Sequence, residues 1–304
     1  MRQQREIVQS SQRIGTHKQV PRNYPFVKWA GGKTQLLSEL DRMIPSEFDR
    51  YFEPFIGGGA MFFHTFSKNI QFTSYLSDMN EELINAYKVV KDNVEELIRL
   101  LLHYEAEYNN SRHEFYYQLR ANIKPVTDVK RAARFITLNK TCYNGLYRVN
   151  SKGIFNVPMG RYKNPMICDG GNLRKVGEAL RDSDAKIQAI DYTETLVRAQ
   201  EGDFIYLDPP YDPLSDTAYF THYTHNGFTE RDQRKLAKVF ATLNERKCKI
   251  LLSNSDTKLI RNLYKDFAKY TKELNVLRSI NSKASRRMGY KELLIRNYDY
   301  NTCL

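Results

Sequence analysis

The sequence predicts an α/β protein with a doubly wound, mostly parallel sheet. Three observations lead there. Short apolar runs of strand length alternate with helical stretches along most of the 304 residues. The run at Tyr51–Ile56 enters a glycine triplet, Gly57-Gly58-Gly59, and about 20 residues on an acid, Asp78, ends a second run, the spacing of a strand–turn–helix crossover that holds a nucleoside. A third run, Asp203–Leu207, stops at Asp208-Pro209-Pro210-Tyr211, where two prolines after an acid can continue neither helix nor ladder.

Taken in order, residues 1–23 are polar and basic without periodicity and read as a flexible leader. Lys28-Trp29-Ala30-Gly31-Gly32-Lys33-Thr34 is no phosphate loop, because Val27 stands where GxxxxGK[ST] needs its first glycine. It is a glycine turn that presents Lys33 at a helix start. The only tryptophan, Trp29, reads equally as a ligand contact or as core. Ala60–Phe66 is expected to be helical behind the glycine triplet, and Ser74–Asp78 to be a strand. Leu83, Tyr87, Val90, Val94, Leu97 and Leu101 step by four and three, the stripe of one amphipathic core helix. Arg131–Leu138 looks helical. Asn144-Gly145 signals a tight hairpin turn, with 153–158 and 160–165 as the arm that follows. Strands resume at Lys186–Ile190, which ends on Asp191-Tyr192, and at Asp203–Leu207. Thr229-Glu230-Arg231-Asp232 has capping-box form, opening a helix that buries Leu236, Val239, Phe240 and Leu243. Ile250–Leu252 is a buried strand with a helical stretch to about Phe267. Val276–Ile280 and Lys291–Tyr298 are expected to close the sheet as a hairpin.

Composition narrows the function. Between Arg112 and Lys175 stand 13 Lys or Arg against 3 Asp or Glu, so +10 of the net +12 lies in one segment rich in Phe, Tyr and Asn. Interleaved cations and rings are the footprint of a nucleic-acid surface, the alternative being an ordinary solvated face. No apolar run is long enough to span a bilayer, and the start of the chain has no apolar signal core. Cys142, Cys168, Cys248 and Cys303 are isolated, with no metal-ligand spacing, which points to a reducing, cytoplasmic setting and to no metal. The rigid Asp208–Tyr211 corner, a carboxylate beside a ring, suits a flat substrate with an exocyclic amine; a bare strand-to-loop turn is the bland alternative.

These pieces resemble a family, the Dam-like, alpha-group (D12 class) DNA adenine-N6 methyltransferases of bacteria and phages. The resemblance runs from Pro25 to about Tyr298 and rests on KWAGGK (Lys28–Lys33), EPFIGGGA (Glu53–Ala60), SDMN (Ser77–Asn80), the block from Tyr143 to Pro165, DPPY (Asp208–Tyr211) and LLSNSD (Leu251–Asp256). Their order is the alpha-group order. The resemblance implies a Rossmann-like methyltransferase sheet in residues 24–84 and 169–304, with an inserted, largely helical DNA-recognition domain, residues 85–168, carrying a β-hairpin. It implies S-adenosylmethionine as methyl donor, contacted by Trp29, Lys33, Phe55, Gly57, Asp78 and Asp208, with Asp78 on the ribose and Asp191 and Tyr192 flanking the cofactor adenine. It implies DNA contacts from Lys28, Tyr143, Asn144, Arg148, Pro158, Arg161, Tyr162 and Lys163.

The activity so implied is site-specific adenine methylation (EC 2.1.1.72), with GATC in duplex DNA the associated target and a restriction endonuclease a conceivable functional partner. Asp208 and the Pro209 carbonyl would accept the two N–H bonds of the adenine amine, Pro210 would hold the corner, and Tyr211 would stack on a base flipped out of the duplex. Two other readings compete: a DNA-binding module without catalysis, and an enzyme methylating RNA or a protein amide.

Overall fold

The computed structural model describes residues 25–68, 70–122, 125–212, 228–276, 290–299 and 303; the leader 1–23 and the loop 281–289 lie outside these. In chain order the elements are α1 (Leu37–Asp41), β1 (Arg50–Glu53), α2 (Ala60–Phe66), β2 (Thr73–Ser77), α3 (Glu81–Asp92), α4 (Val94–Asn110), α5 (Arg112–Ala121) and α6 (Asp128–Thr141). They continue with α7 (Gly170–Asp182), β3 (Lys186–Gln188), α8 (Tyr192–Leu196), β4 (Phe204–Leu207), α9 (Glu230–Glu245), β5 (Lys249–Ser255), α10 (Lys258–Leu263), β6 (Thr271–Val276) and β7 (Tyr290–Arg296).

The strands form one seven-stranded sheet in the order β3-β2-β1-β4-β5-β7-β6. Pairs among β1 to β5 are parallel, and only β7 runs against its neighbours. β4 is buried on both faces, as its unbroken apolar run requires. Its side chains alternate between two cores. Phe204 and Tyr206 join Tyr51, Phe62, Tyr87 and Leu251 on one face, while Ile205 and Leu207 pack with Phe52, Leu236, Phe240 and Ile260 on the other. At the amino ends of the central strands the Arg50 guanidinium donates to both oxygens of the fully buried Asp203, at 2.9 and 2.6 Å, and clips β1 to β4.

Several expectations are corrected. The stripe from Leu83 to Leu101 is buried as predicted but belongs to two helices, because Asn93 (φ −132°, ψ 33°) breaks the backbone while the four-and-three phase carries through. The described part of the outer hairpin strand is Thr271–Val276, earlier than expected, and the rest of Val276–Ile280 lies outside the described residues. Elsewhere the structure adds detail without correction: α3 runs through the position between Ile84 and Asn85. The first core is continuous across it: Leu97, Tyr116, Ile136 and Phe155 belong to the same buried cluster as Tyr51 and Phe204.

The Asn-Gly turn exists, with Asn144 at φ 55° and Gly145 at φ 64°. It turns the chain out of α6, however, and is not a hairpin tip. The antiparallel arm is fixed by bridges Cys142–Met159 and Val149–Phe155, and its tip is Asn150–Gly153, where Asn150 accepts from the Lys152 and Ile154 amides. Asn144 therefore stands at the base of the arm, while Arg148 precedes the bridge that adjoins the tip.

Candidate active site at the carboxyl ends of the central strands

β1 connects onward to β2 on one side and β4 to β5 on the other, so the strand order reverses between β1 and β4. Connections diverge there and leave a crevice outside the carboxyl ends of those strands. Asp208–Asp212 follows β4 into it, Pro54–Gly59 follows β1, and Asp78 follows β2. The antiparallel β7 brings its own start to the same end of the sheet, with Glu292 paired opposite Ser255.

The Asp208–Tyr211 corner is held from three elements. Gln233 of α9 donates to the Pro210 carbonyl at 2.9 Å. Asn254 of β5 accepts from the Asp212 amide at 3.2 Å and itself donates to Gln233 at 3.0 Å. Ser255 donates to the Asp212 carbonyl at 2.5 Å. The Pro209 carbonyl accepts no hydrogen bond among the described residues. Lys33 reaches in from the 3-10 turn Lys33–Leu36, donating to the Gly31 carbonyl at 2.7 Å and pairing with Asp208 at 2.8 Å. Its ammonium also lies 4.8 Å from the centre of the Tyr211 ring.

The corner is crowded with acid. Glu53 at the end of β1 is 2% exposed and Glu292 6%. The Tyr51 hydroxyl donates to Glu53 at 2.7 Å, and the Tyr211 hydroxyl donates to Glu292 at 2.8 Å. Burial pushes the Glu53 carboxyl well above the ordinary carboxylate range, against the Tyr51 bond and helped by the charge of Asp208. Burial also raises Asp208; the Lys33 ammonium opposes that shift and Glu292 adds to it.

The glycine turn lies against this corner. Gly57 (φ 46°) and Gly59 (φ 73°) adopt left-handed backbone, and a Cβ on Gly57 would stand 2.6 Å from the Trp29 indole. Asp78 accepts from the Gly57 amide at 3.2 Å and the Asn80 amide at 2.9 Å, while burial raises its carboxyl against those bonds. Tyr87, expected to be plain core, donates to the Gly57 carbonyl at 3.0 Å. Phe55, Tyr192 and Phe228 form a cluster of rings with centroids 5.3 to 6.3 Å apart. Asp191 caps α8 by accepting from the Thr193 amide.

The remaining candidates gather beside Lys28. The Asn139 side chain, 2% exposed, accepts from the Lys28 amide at 2.8 Å and donates to the Lys28 and Gly145 carbonyls at 2.8 and 3.1 Å. The Lys28 ammonium lies 3.9 Å from the centre of the Tyr162 ring, and the Tyr143 amide donates to the Pro158 carbonyl at 2.9 Å. Trp29 stacks on Tyr147 at 5.9 Å and lies against the glycine turn at Gly57, so the core reading holds in part. Tyr143, Asn144, Pro158, Arg161 and Lys163 are exposed. Arg148 is exposed too and donates to the Asn156 side chain at 2.7 Å.

The family model for D12 class N6 adenine-specific DNA methyltransferases matches residues 29–279. The chain belongs to that family. It is similar to a type II methyltransferase of Lactococcus lactis subsp. cremoris, 43% identical over 279 residues, 90% of this chain and 95% of the relative. A type II methyltransferase of Methanocaldococcus jannaschii is 44% identical over 90% of this chain and 99% of its own. The DNA adenine methylase of Escherichia coli K12 is 38% identical over 90% and 95%. As an adenine-specific DNA methyltransferase the protein acts on DNA, and its family implies S-adenosylmethionine. The residues present fit that donor: a carboxylate held by backbone amides, a glycine turn with no room for a Cβ, and a cluster of rings of the kind that takes a flat base.

For this methyltransferase, residue reading missed the groups that come from afar. Gln233, Asn139 and Glu292 carry no local motif. Asn254 and Glu53 lay inside quoted motifs, but nothing in their neighbours says that one pins the corner and the other is a buried acid.

Proposed function

We propose that this methyltransferase acts on duplex DNA at a short specific site, GATC, on an adenine flipped out of the helix. The observation that carries the reading is the corner itself. The Asp208 carboxylate and the Pro209 carbonyl stand at the switch point on a backbone pinned by Gln233, Asn254 and Ser255, with the Tyr211 ring beside them. The amine of adenine is a weak nucleophile because its lone pair is delocalised into the ring. Asp208 and the Pro209 carbonyl accept its two N–H bonds, draw the nitrogen toward tetrahedral geometry and free the lone pair; Pro210 keeps the backbone from relaxing. Tyr211 receives the face of the base. S-adenosylmethionine, when bound, supplies an electrophilic methyl group on sulfur. Positioning and fixed charge supply most of the acceleration.

The cofactor is assigned to Trp29, Lys33, Phe55, Gly57, Asp78 and Asp208. Asp78 takes the ribose hydroxyls, and the rings of Phe55, Tyr192 and Phe228 take the adenine. DNA is assigned to Lys28, Tyr143, Asn144, Arg148, Pro158, Arg161, Tyr162 and Lys163, a set supported by the contacts that gather Lys28, Tyr162, Tyr143 and Pro158. Recognition is given to the inserted segment, residues 85–168. The likeness to proteins named type II methyltransferases favours a companion restriction endonuclease acting at the same site.

The test is to methylate a mixed-sequence duplex with labelled donor and map modified bases at single-nucleotide resolution. GATC adenines carrying the label support the reading; label at another sequence overturns the target, and label on another base overturns the chemistry. Asp208→Ala is expected to abolish incorporation. Arg148→Ala is expected to broaden the set of methylated sequences more than it weakens DNA binding.

A further inference from the structure

We propose that Glu292 is a positioning residue for methyl transfer: by accepting the Tyr211 hydroxyl it fixes the plane of the ring that receives the target adenine. The inference rests on the reading of Tyr211 as the base platform.

Tyr211 sits on the segment after β4, outside regular structure, yet a platform must hold its plane to a fraction of an ångström. One end of the ring is tethered to a strand. Its hydroxyl donates to Glu292 at 2.8 Å. Glu292 is locked on both sides, paired with Ser255 of β5 and Leu274 of β6. Ser255 in turn holds the Asp212 carbonyl. The backbone just after the ring and the far end of the ring are therefore anchored to adjacent strands. The Lys33 ammonium, 4.8 Å from the ring centre, borders it as well.

Glu292 is a poor choice for mere packing. A carboxylate that is 6% exposed loses its hydration, and it stands close enough to Asp208 to oppose that group's charge. An apolar side chain would fill the space without that repulsion. What a carboxylate adds is a short, directional hydrogen bond to a phenol. The Tyr211 hydroxyl also favours the charged form of Asp208.

The experiment uses the full chain with Tyr211→Phe, Glu292→Ala, Glu292→Gln, the Tyr211→Phe/Glu292→Ala double variant and Tyr211→Ala. Three quantities are read: the single-turnover methylation rate, the emission of 2-aminopurine at the methylated position of the duplex, and donor affinity from the emission of Trp29, the only tryptophan. Glu292→Ala and Tyr211→Phe are each expected to slow transfer about tenfold or more and to raise 2-aminopurine emission. Donor affinity is expected to stay within about twofold, and the double variant to be no slower than the slower single variant. Glu292→Gln keeps an acceptor oxygen and is expected to recover most of the rate. Losses that multiply in the double variant, or a rate loss matched by lost donor affinity, overturn the proposal. So does a wild-type rate in Tyr211→Phe, which leaves the buried acid in place and answers the question if Glu292→Ala does not fold. Wild-type rate and emission in Tyr211→Ala would instead sink the platform reading itself.

Discussion

At Glu53 a carboxyl group that is 2% exposed accepts the Tyr51 hydroxyl at 2.7 Å and faces a second acid, Asp208. Its folded pKa is raised, so the folded state binds the proton more tightly than the unfolded chain does. The stabilisation is fully present below the ordinary carboxylate range and is lost as pH rises through the raised value. Glu53→Gln is therefore expected to raise the melting temperature at pH 8 more than at pH 5, by about 2–4 °C for each kcal/mol of relieved penalty; thermal melts at the two pH values check it. Asp208 obeys the same sign with a catalytic consequence. Lys33, more than the Tyr211 hydroxyl, holds its raised pKa down. Lys33→Met is expected to push the acid limb of the single-turnover pH profile upward; an unmoved limb would separate that limb from Asp208. At this scale the sequence shows what is contiguous. Asp208 to Tyr211 can be read as one word, whereas Glu292 is 81 positions from its partner Tyr211 and Gln233 is 23 from Pro210. Local pattern carries no information about such contacts.

Elements were legible where one local rule dominates. α2 begins and ends at Ala60 and Phe66 because the left-handed Gly59 starts it, and Thr229 with Asp232 caps α9 as their spacing implies. They were misread where two rules compete. Hydrophobic phase runs unbroken past Asn93 although the backbone does not, and Asn144-Gly145 has the dihedral signs of a hairpin turn while serving to redirect the chain out of α6. Two variants probe these joints. Gly57→Ala would place a methyl 2.6 Å from Trp29 on backbone at φ 46°, and is expected to destabilise the fold by about 1–3 kcal/mol. Its denaturation midpoint and a shift in Trp29 emission are the measures. Asn139→Ala strips the partner from the Lys28 amide and from two carbonyls, with an expected loss of about 1–3 kcal/mol. Hydrogen exchange should quicken at the Lys28 amide and at the base of the arm; unchanged protection there would mean the amide bonds are replaceable.

Across the whole molecule, the family resemblance implied a catalytic body with an inserted, largely helical recognition domain. The structure has one continuous buried cluster joining the sheet to the segment between α3 and α7. Composition could locate the charge of that segment but not its packing, since its apolar residues look alike whether they close on themselves or on the sheet. The stretch from Arg112 to Lys175 carries +10 of the net +12, so DNA affinity is expected to fall steeply with salt. Replacing Arg161 and Lys163 together by alanine should flatten the plot of log affinity against log salt by about two units if both touch phosphate. A slope that stays put would remove them from the interface. The clip between Arg50 and Asp203 carries a kinetic consequence. It joins positions 153 residues apart, and the parallel pairing of β1 with β4 depends on closing that loop. Such loop closure comes before the contacts that reward it, so the sheet centre is the slow event in refolding. The crevice has no existence before that event, because its two walls are the ends of those two strands. Recovery of Trp29 emission after dilution from denaturant should therefore follow the slowest refolding phase, while helical signal from α3, α4 and α6 returns earlier.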